Sequence, residues 1–184
     1  MNLLIVLLAA TLYTVEPVNG TVSFSIMKWS VFREEGTFRD FTAQIQYDRT
    51  NPARSSVMFD VDTKSIDTKN DSRDSTLRSE HFFHVAKHPK ITFRSVKVTP
   101  RGKNLADVTG DLTIRGVTKR ITVPVRLIGI SKQGNGRELA GFETEFKIDR
   151  LAFGVTGGGW TAESPGVLGH EVTIRIIAGG VTKK

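Results

Sequence analysis

Apolar and polar side chains alternate almost without interruption from Val108 to Leu127, and this pattern constrains the fold more than any other stretch. Because side chains leave a strand on opposite faces, each half of the stretch has one apolar and one polar face. The short connection around Gly116 between the two halves predicts an antiparallel hairpin. Pro124 lies on the polar face and cannot donate to a ladder, which predicts a sheet edge or a bulge at that point.

The same period of two recurs along the rest of the chain. It predicts further strands within the ranges 13–17, 21–26, 37–48, 57–62, 91–98, 142–148 and 172–176. Val18-Asn19-Gly20 predicts a turn after the first of these strands, and the differing parities of Phe38 and Phe41 predict a bulge.

One segment, residues 65–79, has polar, capping-type residues and no strand period. It predicts a short helix that is capped by Asp71 or Ser72, carries Leu77, Phe82 and Phe83 on its apolar side and ends before Pro89. The rest of the chain shows neither an internal repeat nor a linker, so residues 13–184 form a single predicted domain.

The predicted fold class is all-β, and the arrangement is either two packed sheets or a closed barrel. Long strands joined mainly by hairpins favour a single extended antiparallel barrel of eight strands with one or two short helices. Such a barrel is wide enough to hold one slender ligand. Its apolar wall would suit an apolar ligand, whereas the alternative is that the side chains simply fill the core. Periodicity alone leaves both interpretations open.

Charge and cysteine content exclude several classes of function. The chain has no cysteine, which excludes disulfides, thiol catalysis and cysteine-ligated metals. The net charge is +7, but the basic residues are interleaved with acids, which favours a solvated surface over an anion-binding patch. Nucleic-acid binding is not expected, because it needs exposed aromatic side chains and the phenylalanines lie mainly on the apolar faces of the predicted strands.

The N-terminal residues 1–12 form a probable signal peptide. Leu3 to Ala10 is an apolar run that ends in small residues and is far too short to span a bilayer, so no transmembrane segment is predicted. A periplasmic or secreted location follows. No basic residue precedes the run, which leaves a cytoplasmic location open.

The candidate catalytic and metal-binding patterns are incomplete. His84 and His88 have the i, i+4 spacing of metal ligands and lie near His81, but Val85 replaces the glutamate of the zinc-protease motif. The acids between Asp67 and Asp74 lack the order of a calcium loop, and no nucleophile elbow is present. The glycines at 157–159 lack the residues of a phosphate loop and predict a flexible rim loop. We expect neither a metal, nor a cofactor, nor catalysis.

Taken in order, a series of segments resembles the YceI-like family of lipocalin-like, polyisoprenoid-binding proteins. The matching segments are residues 36–38, 65–68, 73–79, 82–83, 89–93, 110–119, 148–150, 153–155 and 169–172. The resemblance implies an extended lipocalin-like barrel that holds the isoprenoid tail of a quinone or polyprenyl lipid, and it implies that homodimers can form. The chain departs from the family at Asn19-Gly20, where a His-Ser pair is usual, and at Trp29, where a histidine is usual. A headgroup role that depends on those histidines is therefore not expected here.

The main functional hypothesis is non-catalytic binding, transport or storage of an amphiphilic isoprenoid lipid. The residues predicted to line the tunnel are Phe24, Ile26, Phe38, Ile45, Phe59, Phe93, Leu112, Ile114, Val123, Val125, Phe142, Phe146, Val172 and Ile174. Arg73, Asp74 and Arg78 are candidates for the tunnel mouth and the lipid headgroup, with a structural loop network as the alternative. Two other functions stay open: a rim-located enzyme or chaperone using His81 or Asp74, and an interaction module using the basic surface.

Overall fold

The computed structural model describes residues 10–157 and 167–183. In this part of the chain the strands are β1 (Thr11–Lys28), β2 (Phe32–Phe38), β3 (Phe41–Tyr47), β4 (Ser56–Asp62), β5 (Ile66–Asp67), β6 (Lys90–Pro100), β7 (Leu105–Ile114), β8 (Val117–Lys132), β9 (Glu138–Asp149) and β10 (Leu168–Thr182). The helix α1 covers Asp71–Arg78, and short 3-10 turns cover Pro52–Arg54, Thr63–Ser65 and Leu151–Phe153.

Ten strands make eight positions around a closed antiparallel barrel. The strands are ordered β10-β9-β8-β7-β6-β4-β3-β1-β2-β5, and the pairing of β10 with β1 closes the ring. The long strand β1 pairs with β3 through its first residues and with β2 through its last ones, so β2 and β3 share one position. Likewise, β4 pairs with β3 and the short β5 pairs with β2, so β4 and β5 share the next position. The predicted all-β, eight-stranded barrel is confirmed.

The central hairpin forms as the alternation predicts. Ile114 pairs with Val117 around a two-residue turn, and the ladder between β7 and β8 continues without a shift to Leu105 and Arg126. Counting hydrogen-bonded pairs outward from this turn places the nitrogen of Pro124 on the side of β8 that faces β9. The ladder between β8 and β9 begins only at Arg126. Pro124 therefore lies at an unpaired edge of β8 and interrupts no ladder.

Four local predictions are wrong. Instead of the bulge predicted between Phe38 and Phe41 there is a break between two strands, because β2 ends at Phe38 and β3 begins at Phe41. The turn predicted at residues 18–20 is part of the continuous strand β1, because β10 pairs with both sides of it and the register shifts between Val15 and Gly20. The predicted helix is capped by neither Asp71 nor Ser72 and does not continue to Pro89. It ends at Arg78, because the backbone of Ser79 is extended, with φ −65° and ψ 171°. Its N-cap is Asn70, whose side chain accepts from the backbone nitrogen of Arg73 at 2.9 Å.

Acid sensitivity is expected from Asp48, in the turn after β3. Its Oδ1 accepts from the Thr50 hydroxyl at 2.7 Å and from the backbone nitrogens of Asn51 and Thr50 at 2.8 and 2.9 Å, which lower the pKa of the carboxyl below its usual value. Because the unfolded chain takes up this proton first, the contribution is present above about pH 4 and is lost as the pH falls through the folded pKa.

We therefore expect Asp48→Asn to reduce the fall in stability between neutral pH and about pH 3, measured by urea unfolding at a series of pH values. Asp40→Asn is the matched control, because no described residue donates a hydrogen bond to the Asp40 carboxylate. Parallel pH profiles of the Asp48→Asn variant and the unmodified protein would contradict this account.

Candidate functional site

The barrel encloses a cavity of about 810 Å³. This volume lies in the upper part of the range of about 300–1,000 Å³ that is typical of small-molecule sites. The interior is therefore not completely filled by its own side chains, in contrast to the alternative interpretation of the apolar face as a closed core.

Many side chains of the inner wall remain partly accessible although they point inward. Phe24 and Ile26 on β1, Phe93 on β6, Phe146 on β9 and Ile174 on β10 border the cavity and are only half-buried. Folding thus leaves apolar surface in the lumen that none of the described residues covers. A ligand that covers this surface gains roughly 25 cal/mol per Å² of apolar area.

Two glycines keep aromatic rings against the wall. A Cβ added at Gly36 would lie 2.4 Å from the Cζ of Phe24, and a Cβ added at Gly110 would lie 2.4 Å from the Cζ of Phe93. Each ring therefore occupies the space that a side chain would need. A larger residue at either position would push the ring toward the lumen and reduce the free volume.

All fourteen residues that the sequence predicts to line a tunnel border the cavity. They lie on the inward face of the strands, because the alternation of side chains with a period of two fixes the face on which each one lies. Their contact with a ligand stays a prediction.

Exposed residues border the cavity near α1, and we call this group the α1 mouth. It consists of the exposed residues Glu35, Asn70, Ser72 and Thr76 together with the half-buried Arg73. The Arg73 guanidinium is held in place there: it donates to the hydroxyl and the backbone oxygen of Thr68, both at 2.8 Å, and forms an ion pair with Glu34. A fixed cation therefore lies at the entrance to an apolar cavity.

A second group of exposed residues borders the cavity at the opposite end of the barrel. This hairpin mouth consists of Pro100, Gly102, Asn104 and Leu105, in and around the connection from β6 to β7. The backbone nitrogen of Leu127 donates to the backbone oxygen of Asn104 at 2.9 Å and so holds the hairpin beside β8. The sequence did not predict this second mouth.

Asp74 and Arg78 do not border the cavity, in contrast to Arg73. Asp74 is buried, and its Oδ1 accepts from the backbone nitrogen and the hydroxyl of Thr68 at 2.9 and 2.5 Å. Arg78 donates to the backbone oxygens of Lys64 and Ile66 at 2.9 and 2.6 Å. Both side chains hold the loop before α1 in place, so of the three candidates only Arg73 is positioned to meet a headgroup.

Sequence reasoning missed the part of the wall that loops supply. Phe82, Phe83, Phe153 and Val155 border the cavity from irregular segments. The sequence placed Phe82 and Phe83 on the apolar side of a helix, but the helix ends before them, and no period reveals Phe153 and Val155. Arg150 also borders the cavity; it is 5% exposed, and burial lowers its pKa. The only sequence feature that singled out Arg150 was its place in the Ile148-Asp149-Arg150 segment, which resembles the family.

The histidines near α1 do not assemble a metal site. Within residues 10–157 and 167–183 no group of three or more His, Asp or Glu side chains has an arrangement suited to a metal ion. The rings of His84 and His88 contact each other edge to face at 5.8 Å, and burial lowers the pKa of His88.

Two sequence predictions fall largely outside the structural description, which does not cover residues 1–9 of the proposed signal peptide or residues 158 and 159 of the proposed rim loop. In the described ranges, no helix combines the length and apolar character that crossing a bilayer requires.

Several solved structures share this fold. The crystal structure of Burkholderia cenocepacia BcnA superposes with a TM-score of 0.79 and 28% identity, covering 92% of this chain and 99% of that one. The Campylobacter jejuni YceI protein gives a TM-score of 0.74 at 27% identity, over 84% of this chain and 88% of that one. A Saccharophagus degradans domain described as polyisoprenoid binding gives 0.70 at 15% identity, over 95% and 99%, and shows the fold alone.

Relatives are also found by sequence. Protein YceI of Salmonella newport is 38% identical over 163 residues, which cover 89% of this chain and 82% of that protein. Protein YceI of Escherichia coli is 40% identical over 149 residues, which cover 81% and 74%. The family model described as the YceI-like domain matches residues 13–178 and so spans the whole barrel. By this match and these relatives, the chain belongs to the YceI-like family.

Proposed function

We propose that the protein binds, and carries or stores, an amphiphilic lipid of the isoprenoid class, with its tail inside the cavity and without catalysing a reaction on it. The observation that carries the proposal is the lumen of about 810 Å³, whose inner wall is apolar and in part only half-buried. The Saccharophagus domain of the same fold, described as polyisoprenoid binding, supports the choice of ligand class.

The distribution of polar residues suggests an orientation for the lipid. Arg73 is a fixed cation at the α1 mouth, whereas exposed apolar Leu105 and Pro100 border the hairpin mouth. A headgroup with oxygen acceptors, such as a quinone or a prenyl phosphate, would accept hydrogen bonds beside Arg73. The tail would extend along the lumen toward the hairpin mouth, where a long chain could emerge.

Binding of a tail needs no polar anchor inside the barrel. Each buried CH₂ group contributes roughly 0.8 kcal/mol, so a chain of several prenyl units gains ample free energy from the wall alone. The headgroup contacts would then select among lipids rather than supply most of the affinity.

Chemical extraction of the purified protein tests this function. We expect organic extraction followed by mass spectrometry to recover one class of isoprenoid lipid, at roughly one molecule per barrel. Lipid-free protein is expected to take up an added quinone with a long prenyl tail and to ignore its tail-less analogue. Recovery of no lipid, together with no uptake of the long-tailed quinone, would refute the proposal.

We also propose that the carrier acts outside the cytoplasm, after removal of residues 1–12. Cell fractionation and N-terminal sequencing of the mature protein test this location. A cytoplasmic protein that retains Met1 would contradict it.

A further inference from the structure

The β1–β2 hairpin ends in an unusual concentration of exposed apolar side chains. We propose that this apolar tip, formed by Met27, Trp29, Val31 and Phe32, inserts into the surface of an anionic lipid bilayer and so turns the α1 mouth toward the membrane. The inference rests on the proposed lipid-carrying function and names the surface with which the protein exchanges its lipid.

Exposure sets the apolar tip apart from the rest of the surface. The exposed fractions are 37% for Met27, 51% for Trp29, 72% for Val31 and 58% for Phe32. Four of the thirteen exposed large apolar residues found in the described ranges thus fall within six consecutive positions. The rings of Trp29 and Phe32 also contact each other at 6.2 Å, which makes one continuous apolar surface. Such clusters on a monomer mark interaction sites.

The apolar tip continues the inner wall of the barrel past its rim. Phe32 pairs with Lys28, and Glu34 pairs with Ile26, so Phe32 shares a strand face with residues that border the cavity. Arg73 of the α1 mouth forms its ion pair with Glu34, two residues from Phe32. A lipid leaving the α1 mouth would therefore pass the ion-paired side chains of Lys28 and Glu34 and then meet the apolar tip.

Two basic residues at the apolar tip, Lys28 and Arg33, suit an anionic surface, and the exposed Glu35 nearby opposes them in part. Lys28 lies 4.4 Å from the centre of the Trp29 ring and 3.8 Å from Glu34, and Arg33 is exposed with no acidic partner among the described residues. The whole chain carries a net charge of +7. Tryptophan and phenylalanine flanked by basic residues are typical of segments that lie in the membrane interface. Anionic lipids add an attraction that salt weakens.

The turn holds a bulky residue in a conformation that does not favour it. Trp29 and Ser30 have φ values of 51° and 57°, in the left-handed region where hairpin turns usually place Asn or Gly. A tryptophan at this position therefore costs the fold stability that a smaller residue would restore. Its exposure gives no compensating burial within the barrel.

Vesicle binding by the full chain tests the inference. We compare vesicles of phosphatidylcholine alone with vesicles that also contain phosphatidylglycerol, and measure the bound protein by co-sedimentation. The test variant combines Trp29→Asn with Phe32→Ser, neither of which borders the cavity. The control variant combines Val96→Ser with Ile128→Ser, which are 52% and 48% exposed on other strands. Urea unfolding, extracted lipid and molar mass by light scattering are measured on the same samples.

We expect the unmodified protein and the control variant to bind the anionic vesicles more strongly than the neutral ones. The tip variant should bind them at least about tenfold more weakly, with its extracted lipid retained and its unfolding midpoint unchanged or higher.

Equal binding by the tip and control variants would overturn the inference. So would an unmodified protein that retains lipid but binds neither vesicle, although the proposed function would then stand. A dimer that the tip substitutions convert to a monomer, without vesicle binding, would assign the apolar tip to a second copy of the chain and also overturn it.

Discussion

The Ile174→Trp variant is expected to fold and to lose its lipid. Ile174 lies on β10 between its partners Phe24 on β1 and Phe146 on β9, and all three border the cavity. Because Ile174 is only half-buried, an indole at this position extends into open lumen and occupies the space of the tail. We expect affinity for a long-tailed quinone to fall at least about tenfold, which corresponds to about 1.4 kcal/mol. Extracted lipid per barrel and titration with the quinone measure the effect.

Thr173→Trp is the matched control for this substitution. Thr173 is the preceding residue on β10 and pairs with Ser25 and Lys147, so its side chain lies on the outer face of the barrel. The same indole there should leave lipid content and affinity unchanged. Urea unfolding checks both variants, because forcing a larger side chain into a packed region costs about 1–3 kcal/mol. An Ile174→Trp variant that keeps its lipid and its affinity would place the binding site outside the lumen.

The period of two explains why the lining could be predicted from the sequence. Alternation fixes the face on which each side chain lies, so Leu112, Val123 and Ile174 could be assigned to the inner wall without coordinates. It does not fix the distance between opposite walls. The size of the lumen depends on strand number and stagger and on small residues such as Gly110, whose contact with a distant ring no local pattern reveals.

Irregular segments account for most of what the sequence did not predict. Phe153 and Phe82 reach the cavity from loops, whose course is set by tertiary contacts and not by a period. The signal at Val18-Asn19-Gly20 was a true turn preference, but hydrogen bonds from β10 on both sides kept β1 continuous. Local preference predicts an element correctly only where no long-range pairing overrides it.

Arg150 combines near-complete burial with a charge that has no described carboxylate partner at ion-pair distance. It is 5% exposed and follows the last residue of β9. Its Nε donates to the backbone oxygen of Gly169 at 2.8 Å and its Nη2 to that of Leu168 at 3.1 Å. Its Nη1 donates to the backbone oxygens of Val155 and Thr156 at 2.6 and 3.0 Å. One guanidinium thus joins the segment after β9 to the start of β10.

Arg150→Met is therefore expected to lower the free energy of unfolding by about 3–5 kcal/mol, because it removes four charge-assisted hydrogen bonds from a buried site. Arg150→Lys should have an intermediate effect, since an ammonium keeps the charge but cannot reach acceptors arranged around a planar fork. Arg126→Met is the control: Arg126 is 54% exposed, and its ion pair with Glu143 contributes about 1 kcal/mol at most. Urea unfolding measures all three. Since Arg150 also borders the cavity, the amount of extracted lipid should fall together with stability in the Met variant. If Arg150→Met lowered the free energy of unfolding no more than Arg126→Met does, the segment after β9 would be held by its apolar contacts instead.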